Sequence, residues 1–141
     1  MKNISFEAAR EYIAKLDLAY ISESMCTESY SLPRWTKEDA GKCCQLYKNF
    51  LLLQKKHLPL PLVPTREIDE YWHNHILHTK NYVEDCEHIF GHYLHHQPKT
   101  PADASDTLIA DFLQTKALYL AEFGVSLTLQ DNPPKIAASI E

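Results

Sequence analysis

The sequence predicts an all-α, single-domain bundle of about five helices, and three observations carry that prediction. Glycine occurs only three times in 141 residues, which suits helices, whose interiors it destabilises. Apolar residues return every three or four positions through each long segment, the period of an amphipathic helix. The breaks between those segments carry prolines and capping residues, the signals that stop and start helices. A chain of this length can bury a real core as one unit. A helical domain over residues 1–124 is therefore expected, followed by an irregular tail over 125–141.

The first helix is expected from an N-cap at Ser5, with Glu7 in the first turn and Phe6, Ala9, Ile13, Leu16 and Tyr20 on one face, as far as about Ile21. Residues 22–33 mix serines, Thr27 and Glu28 without periodicity, and Pro33 disfavours helix at Leu32, so they read as a loop. Thr36 is the N-cap of the second helix, with Glu38 and Asp39 in a first turn that suits the helix dipole. Its inner face is Ala40, Cys43, Tyr47, Phe50 and Gln54, broadened by Cys44 and Leu51. Three prolines, Pro59, Pro61 and Pro64, then rule out regular helix and favour an extended, proline-rich crossing between helices two and three.

Thr65 caps the third helix, which puts Ile68, Trp72, His75 and Thr79 on one side and Asp69, His73 and Ile76 on the flank. Asp69 is within reach of His73, one turn later. A restart with Thr79 as N-cap gives the fourth helix, with Tyr82, Cys86, Ile89, Phe90 and Tyr93 inward and a histidine stripe of His88, His92 and His95 outward, closed at residues 97–101. The fifth runs from about Asp103 or Ser105 to Phe123, with Ile109, Leu113, Ala117 and Leu120 in register, Phe112 and Phe123 on the shoulders and Gly124 as C-cap. Val125 to Leu129 alternates like a short strand but has no evident partner strand.

Composition excludes several functions. A net charge of −5 argues against a nucleic-acid partner, since holding phosphate backbones rests on clustered Lys and Arg. No apolar run approaches the ~20 residues that span a bilayer, and the amino terminus lacks the apolar core of a signal peptide. No membrane association and a cytoplasmic location are expected. The four cysteines, Cys26, Cys43, Cys44 and Cys86, form no CxxC pair and read as reduced thiols.

Chemistry concentrates between Glu67 and His78, in the run Ile68-Asp69-Glu70-Tyr71-Trp72-His73-Asn74-His75, with Tyr82 and Cys86 downstream. Two readings compete. In one, Asp69, His73 and His75 hold Zn or Fe with help from another helix, although histidines two apart on a helix diverge by about 160°, unlike the i, i+4 pair of zinc proteases. In the other, Asp69, Trp72, His73, His75, Tyr82 and Cys86 form a satisfied polar network that pins the motif helix, with no cofactor.

The run Leu62-Val63-Pro64-Thr65, with Ile68-Asp69-Glu70, Trp72-His73-Asn74-His75, Tyr82, Asp85-Cys86, Phe90-Gly91 and Leu94-His95-His96-Gln97-Pro98, resembles a family of small bacterial WHxH-motif proteins. That family is similar to the domain at the front of plant glycine-rich-domain proteins. The resemblance covers roughly residues 33–124 and implies a helical domain, with no established reaction to carry over. Lys99-Thr100-Pro101 stands where the bacterial relatives usually continue with an aromatic and glycine-rich segment.

Two functions follow as expectations. The first is a non-enzymatic protein-interaction or regulatory module that contacts a partner enzyme or its own copy as a homodimer, since no acid-base pair, phosphate loop or nucleophile constellation stands out. Tyr30, Leu32 and Trp35 are its candidate partner-binding anchors, aromatic and apolar residues of the kind enriched in interface cores. The second is a small metal-dependent enzyme built on Asp69, His73 and His75.

Overall fold

Six helices stand in the computed structural model, which describes residues 2–27, 35–96 and 106–128: α1 (Phe6–Lys15), α2 (Ala19–Thr27), α3 (Lys37–His57), α4 (Arg66–Leu77), α5 (Thr79–Ile89) and α6 (Asp106–Phe123). The described residues form an all-α domain with no β-sheet. The closing segment 97–101, the anchors Tyr30 and Leu32, and the chain from Leu129 onward lie outside them.

Three starts follow the caps legible in the sequence. Ser5 Oγ accepts from Ala8 N at 3.1 Å, Thr36 Oγ1 from Asp39 N at 3.1 Å and Thr65 Oγ1 from Ile68 N at 3.2 Å, each satisfying an amide that the first turn leaves unpaired. Thr79 is not a cap: it is the first residue of α5, and His78 precedes it without a side-chain capping bond.

The single first helix expected as far as Ile21 is two. Leu16 leaves the helical region at ψ 124°, and Asp17 Oδ1 accepts from Ala19 N at 2.9 Å, so a short acceptor side chain starts a new helix in mid-pattern. The apolar spacing of α1 hides this break, because Leu18 and Ile21 are as buried as Ala9 and Ile13. Much of the expected loop after residue 21 is therefore α2, with Ile21 and Met25 in the core.

The long α3 lies at the centre, packed on α1, α2, α4 and α6, and α5 packs on α1 and α4. Its inner face is Ala40, Cys43, Tyr47, Phe50, Leu51 and Gln54, all buried, with Cys44 at the edge. The proline-rich segment after α3 is not helical between Pro61 and Pro64. It is fixed at both ends: Gln54 Nε2 donates to Leu60 O at 3.0 Å, and Val63 N donates to Thr115 Oγ1 of α6 at 2.9 Å. Pro61 and Pro64 offer no amide to such contacts, so the one at Val63 carries the bond.

Two expected registers are wrong. The helix α5 ends at Ile89, because Gly91 adopts φ +78° and donates to Cys86 O and Glu87 O. His92 and His95 therefore leave the helix and no stripe with His88 exists, while His88 stacks on Tyr12 at 4.7 Å. In α6 the buried residues are Leu108, Phe112, Thr115 and Tyr119, whereas Ile109, Leu113, Ala117 and Leu120 are exposed. Periodicity alone cannot choose between two apolar stripes on one helix, and the buried polar Thr115 marks the inner one through its bond to Val63. Val125 to Thr128 forms bends, not a strand, and Leu127 is fully buried.

Gly91 also supports the amino terminus. Lys2 N donates to Gly91 O at 3.2 Å, and a Cβ at Gly91 would lie 1.9 Å from Lys2 O. Gly91→Ala is expected to lose about 1–3 kcal/mol, from left-handed backbone strain and displacement of the Lys2 contact. Urea denaturation measures it, and an unchanged midpoint would show that the turn re-forms at no cost.

Candidate functional site

The motif helix α4 turns Ile68, Tyr71, Trp72, Asn74 and His75 inward and leaves His73 exposed. The chain reverses at once into α5, which aims Tyr82, Asp85 and Cys86 back at the same core. His75, 1 % exposed, sits where these faces meet α3.

Both of its ring nitrogens are occupied: Nε2 lies 2.8 Å from Asp85 Oδ2, and Nδ1 lies 2.7 Å from the Tyr47 hydroxyl. Asp85 Oδ1 accepts from the Tyr12 hydroxyl at 2.6 Å. In the neutral imidazole Nε2–H donates to Asp85, whose carboxylate can only accept, and Nδ1 accepts from the Tyr47 hydroxyl, which burial keeps protonated. A chain Tyr12, Asp85, His75, Tyr47 thus runs from the half-exposed α1 surface into the centre. Each member has a partner, as buried polar groups require.

A second chain lies beside it. Trp72 Nε1 donates to the Tyr82 hydroxyl at 2.9 Å, and that hydroxyl donates to Leu94 O at 2.6 Å. The indole stacks on His96 with centroids 4.2 Å apart and planes 6° from parallel, while His96 Nε2 approaches Asp69 Oδ1 to 2.6 Å, close but not aligned as a hydrogen bond. Cys86 is buried next to Tyr82, and burial pushes its thiol up, the reverse of an activated nucleophile.

The candidate residues therefore divide. Trp72, His75, Tyr82 and Cys86 share one buried cluster. Asp69 belongs with His96 rather than His73, a correction to the expected flank pair, and the structure does not bring Asp69, His73 and His75 together around one point. Among the described residues no group of three or more His, Cys, Asp and Glu side chains is placed to hold a metal ion. Trp35 is half-buried, its N–H donating to Met25 O at 3.3 Å and its indole N–H to the Glu70 carboxylate. That contact folds it back over the bundle.

Asp85, Tyr47 and Tyr12 are the site residues that the motif alone does not reveal. One signal was present: Asp85 falls in register with Tyr82 and Cys86 on the inner face of α5, and an acid on an apolar face needs a buried partner.

The buried phenols have a consequence for pH. Burial, the leading cause in each case, raises Tyr12, Tyr20, Tyr47, Tyr71, Tyr82 and Tyr119, with Tyr20 pushed up to about 12, helped by the charges of Asp85 and Asp17. The unfolded chain ionises its phenols near pH 10, so it binds fewer protons than the folded chain above that point, and stability falls as pH rises. Phenolate absorbance and loss of helical ellipticity are expected to rise together above pH ~10. Free titration of all tyrosines with the helices intact would contradict the burial.

A family model described as UCP032817-like matches residues 9–108, a span that contains Tyr12, Tyr47, His75 and Asp85. No curated protein and no solved structure matches the chain. Among the described residues no helix is long and apolar enough to cross a membrane.

Proposed function

The chain belongs to the UCP032817-like family, and from that premise we propose that it is a non-enzymatic helical module that works in the cytoplasm by contact with protein, a partner enzyme or its own copy, and not with nucleic acid. One observation carries the reading: the inward-facing reactive side chains of the motif region are buried and engaged within the fold. His75 has both nitrogens bonded to Tyr47 and Asp85 at 1 % exposure, and the Cys86 thiol is raised by burial. A general base must reach the proton that it takes, and His75 faces only its own core. The resemblance to WHxH proteins, and to a domain carried at the front of longer plant proteins, supports the same reading, since a domain joined to others is suited to docking. Tyr30, Leu32 and Trp35 remain its proposed anchors, Trp35 through the indole face left over from its bond to Glu70.

Elemental analysis of untagged protein, together with affinity capture comparing wild type and Trp35→Ala, tests the proposal. Protein without stoichiometric metal, capturing a defined partner that Trp35→Ala loses, is the expected result. Stoichiometric Zn or Fe that disappears with His75→Ala, accompanied by turnover of a small molecule, would replace it with the metal-enzyme reading on Asp69, His73 and His75.

A further inference from the structure

Resting on that interaction reading, we propose that the outer face of α6 is a self-association surface, pairing two copies of the chain through antiparallel α6 helices. The inner face of α6 is taken by Leu108, Phe112, Thr115 and Tyr119. The outer face leaves Ile109 44 %, Leu113 57 % and Leu120 55 % exposed, a contiguous apolar stripe of the kind that marks contact sites.

Its pattern points to the occupant. Ala110, Leu113, Ala117 and Leu120, all exposed, follow alternating steps of three and four, a seven-residue repeat with a small residue at one seam position and leucine at the other. An antiparallel alignment centred on Thr115 sets Leu113 of one copy against Ala117 of the second and Leu120 against Ala110. Every layer then holds one leucine and one alanine, and the surface is self-complementary about a twofold axis, as an isologous interface requires.

Charge favours the same occupant. A chain with a net charge of −5 meets its own copy at least cost where the facing surface carries few carboxylates. The exposed positions of α6 with described side chains carry one carboxylate, Glu122, and Lys56 of α3 holds it at 2.5 Å on the flank. Lys116 stands at the seam's edge, where its stem can cover apolar surface while the ammonium stays in water. A helix of 18 residues is about 27 Å long, too little for the roughly 800 Å² per partner of a standard stable interface. The dimer is therefore a weak, exchanging one.

Sedimentation equilibrium of the full chain from about 10 μM to 1 mM, the range of such an interface, tests the proposal. Wild type is expected to rise from monomer toward dimer mass. Leu113→Glu and Leu120→Glu change exposed positions, so they are expected to keep the wild-type circular dichroism and remain monomeric throughout. Ala117→Leu fills the hole opposite Leu113 and is expected to weaken association at least tenfold; unspecific apolar adhesion would instead strengthen. Strengthening, a dimer that survives both glutamates, or a wild type that stays monomeric would each overturn the proposal. A monomeric result leaves partner capture through Trp35 standing, whereas metal-dependent turnover would remove the interaction reading whatever the mass.

Discussion

Asp85→Ala is expected to lower the unfolding free energy by about 3 kcal/mol, the cost of leaving a buried donor unsatisfied when its carboxylate acceptor is removed. The carboxylate accepts from Tyr12 at 2.6 Å and faces His75 Nε2 at 2.8 Å. Alanine would leave the imidazole donor without an acceptor at a position that water does not reach. Tyr12→Phe should cost only about 1 kcal/mol, an ordinary hydrogen bond at a half-exposed edge. Tyr47→Phe should fall between the two, since it orphans Nδ1 in the interior. Urea unfolding of the three variants and of the Tyr12→Phe/Asp85→Ala pair measures the coupling. An Asp85→Ala protein within about 1 kcal/mol of wild type would mean that His75 finds another partner, and the assigned tautomer would be wrong.

Trp72→Ala is expected to cost about 3–5 kcal/mol, through packing rather than charge. The indole is 5 % exposed, lies against Phe50 and His96, and donates to Tyr82. Truncation opens a cavity and removes a donor in one step. Trp72→Phe restores much of the volume and should recover more than half of the loss, because Tyr82 keeps its bond to Leu94 O. His73→Ala, at an exposed position on the same helix, should stay within about 0.5 kcal/mol. Equal effects at Trp72 and His73 would show that α4 does not face the core as described.

Much of the fold was legible because it rests on local chemistry. Ser5, Thr36 and Thr65 announce three helix starts by side-chain geometry alone, and the inner face of α3 follows from its period. The inward turn of Trp72 and His75 is read from the same 100° step. The misreadings fall where a distant contact decides. Asp17 breaks the first helix although the apolar pattern continues across it. Gly91 ends α5 early, in a turn that also receives Lys2. Thr115 selects the inner face of α6 by reaching Val63, while a second apolar stripe on the same helix mimics a core. The partnership of Asp85 with His75 spans the reversal between α4 and α5, and no spacing rule for one helix contains it.

Four of the polar links that tie the bundle together join residues far apart in the chain: Tyr12 to Asp85 at a separation of 73, Asn49 to Tyr119 at 70, Tyr71 to Leu18 at 53 and Val63 to Thr115 at 52. None of them can form before long loops have closed, and loop closure must be met before non-local contacts reward it. The helices can appear early from their own caps and periods, and His75–Asp85 and Trp72–Tyr82 can form within the adjoining α4 and α5, but the links to α1, α2 and α6 have to wait for distant parts of the chain to arrive. Refolding is therefore expected near the slow, millisecond end of all-helical proteins, not on the microsecond scale of bundles with local contacts. Stopped-flow Trp fluorescence would register this as a resolvable phase, and completion within the mixing time would contradict it.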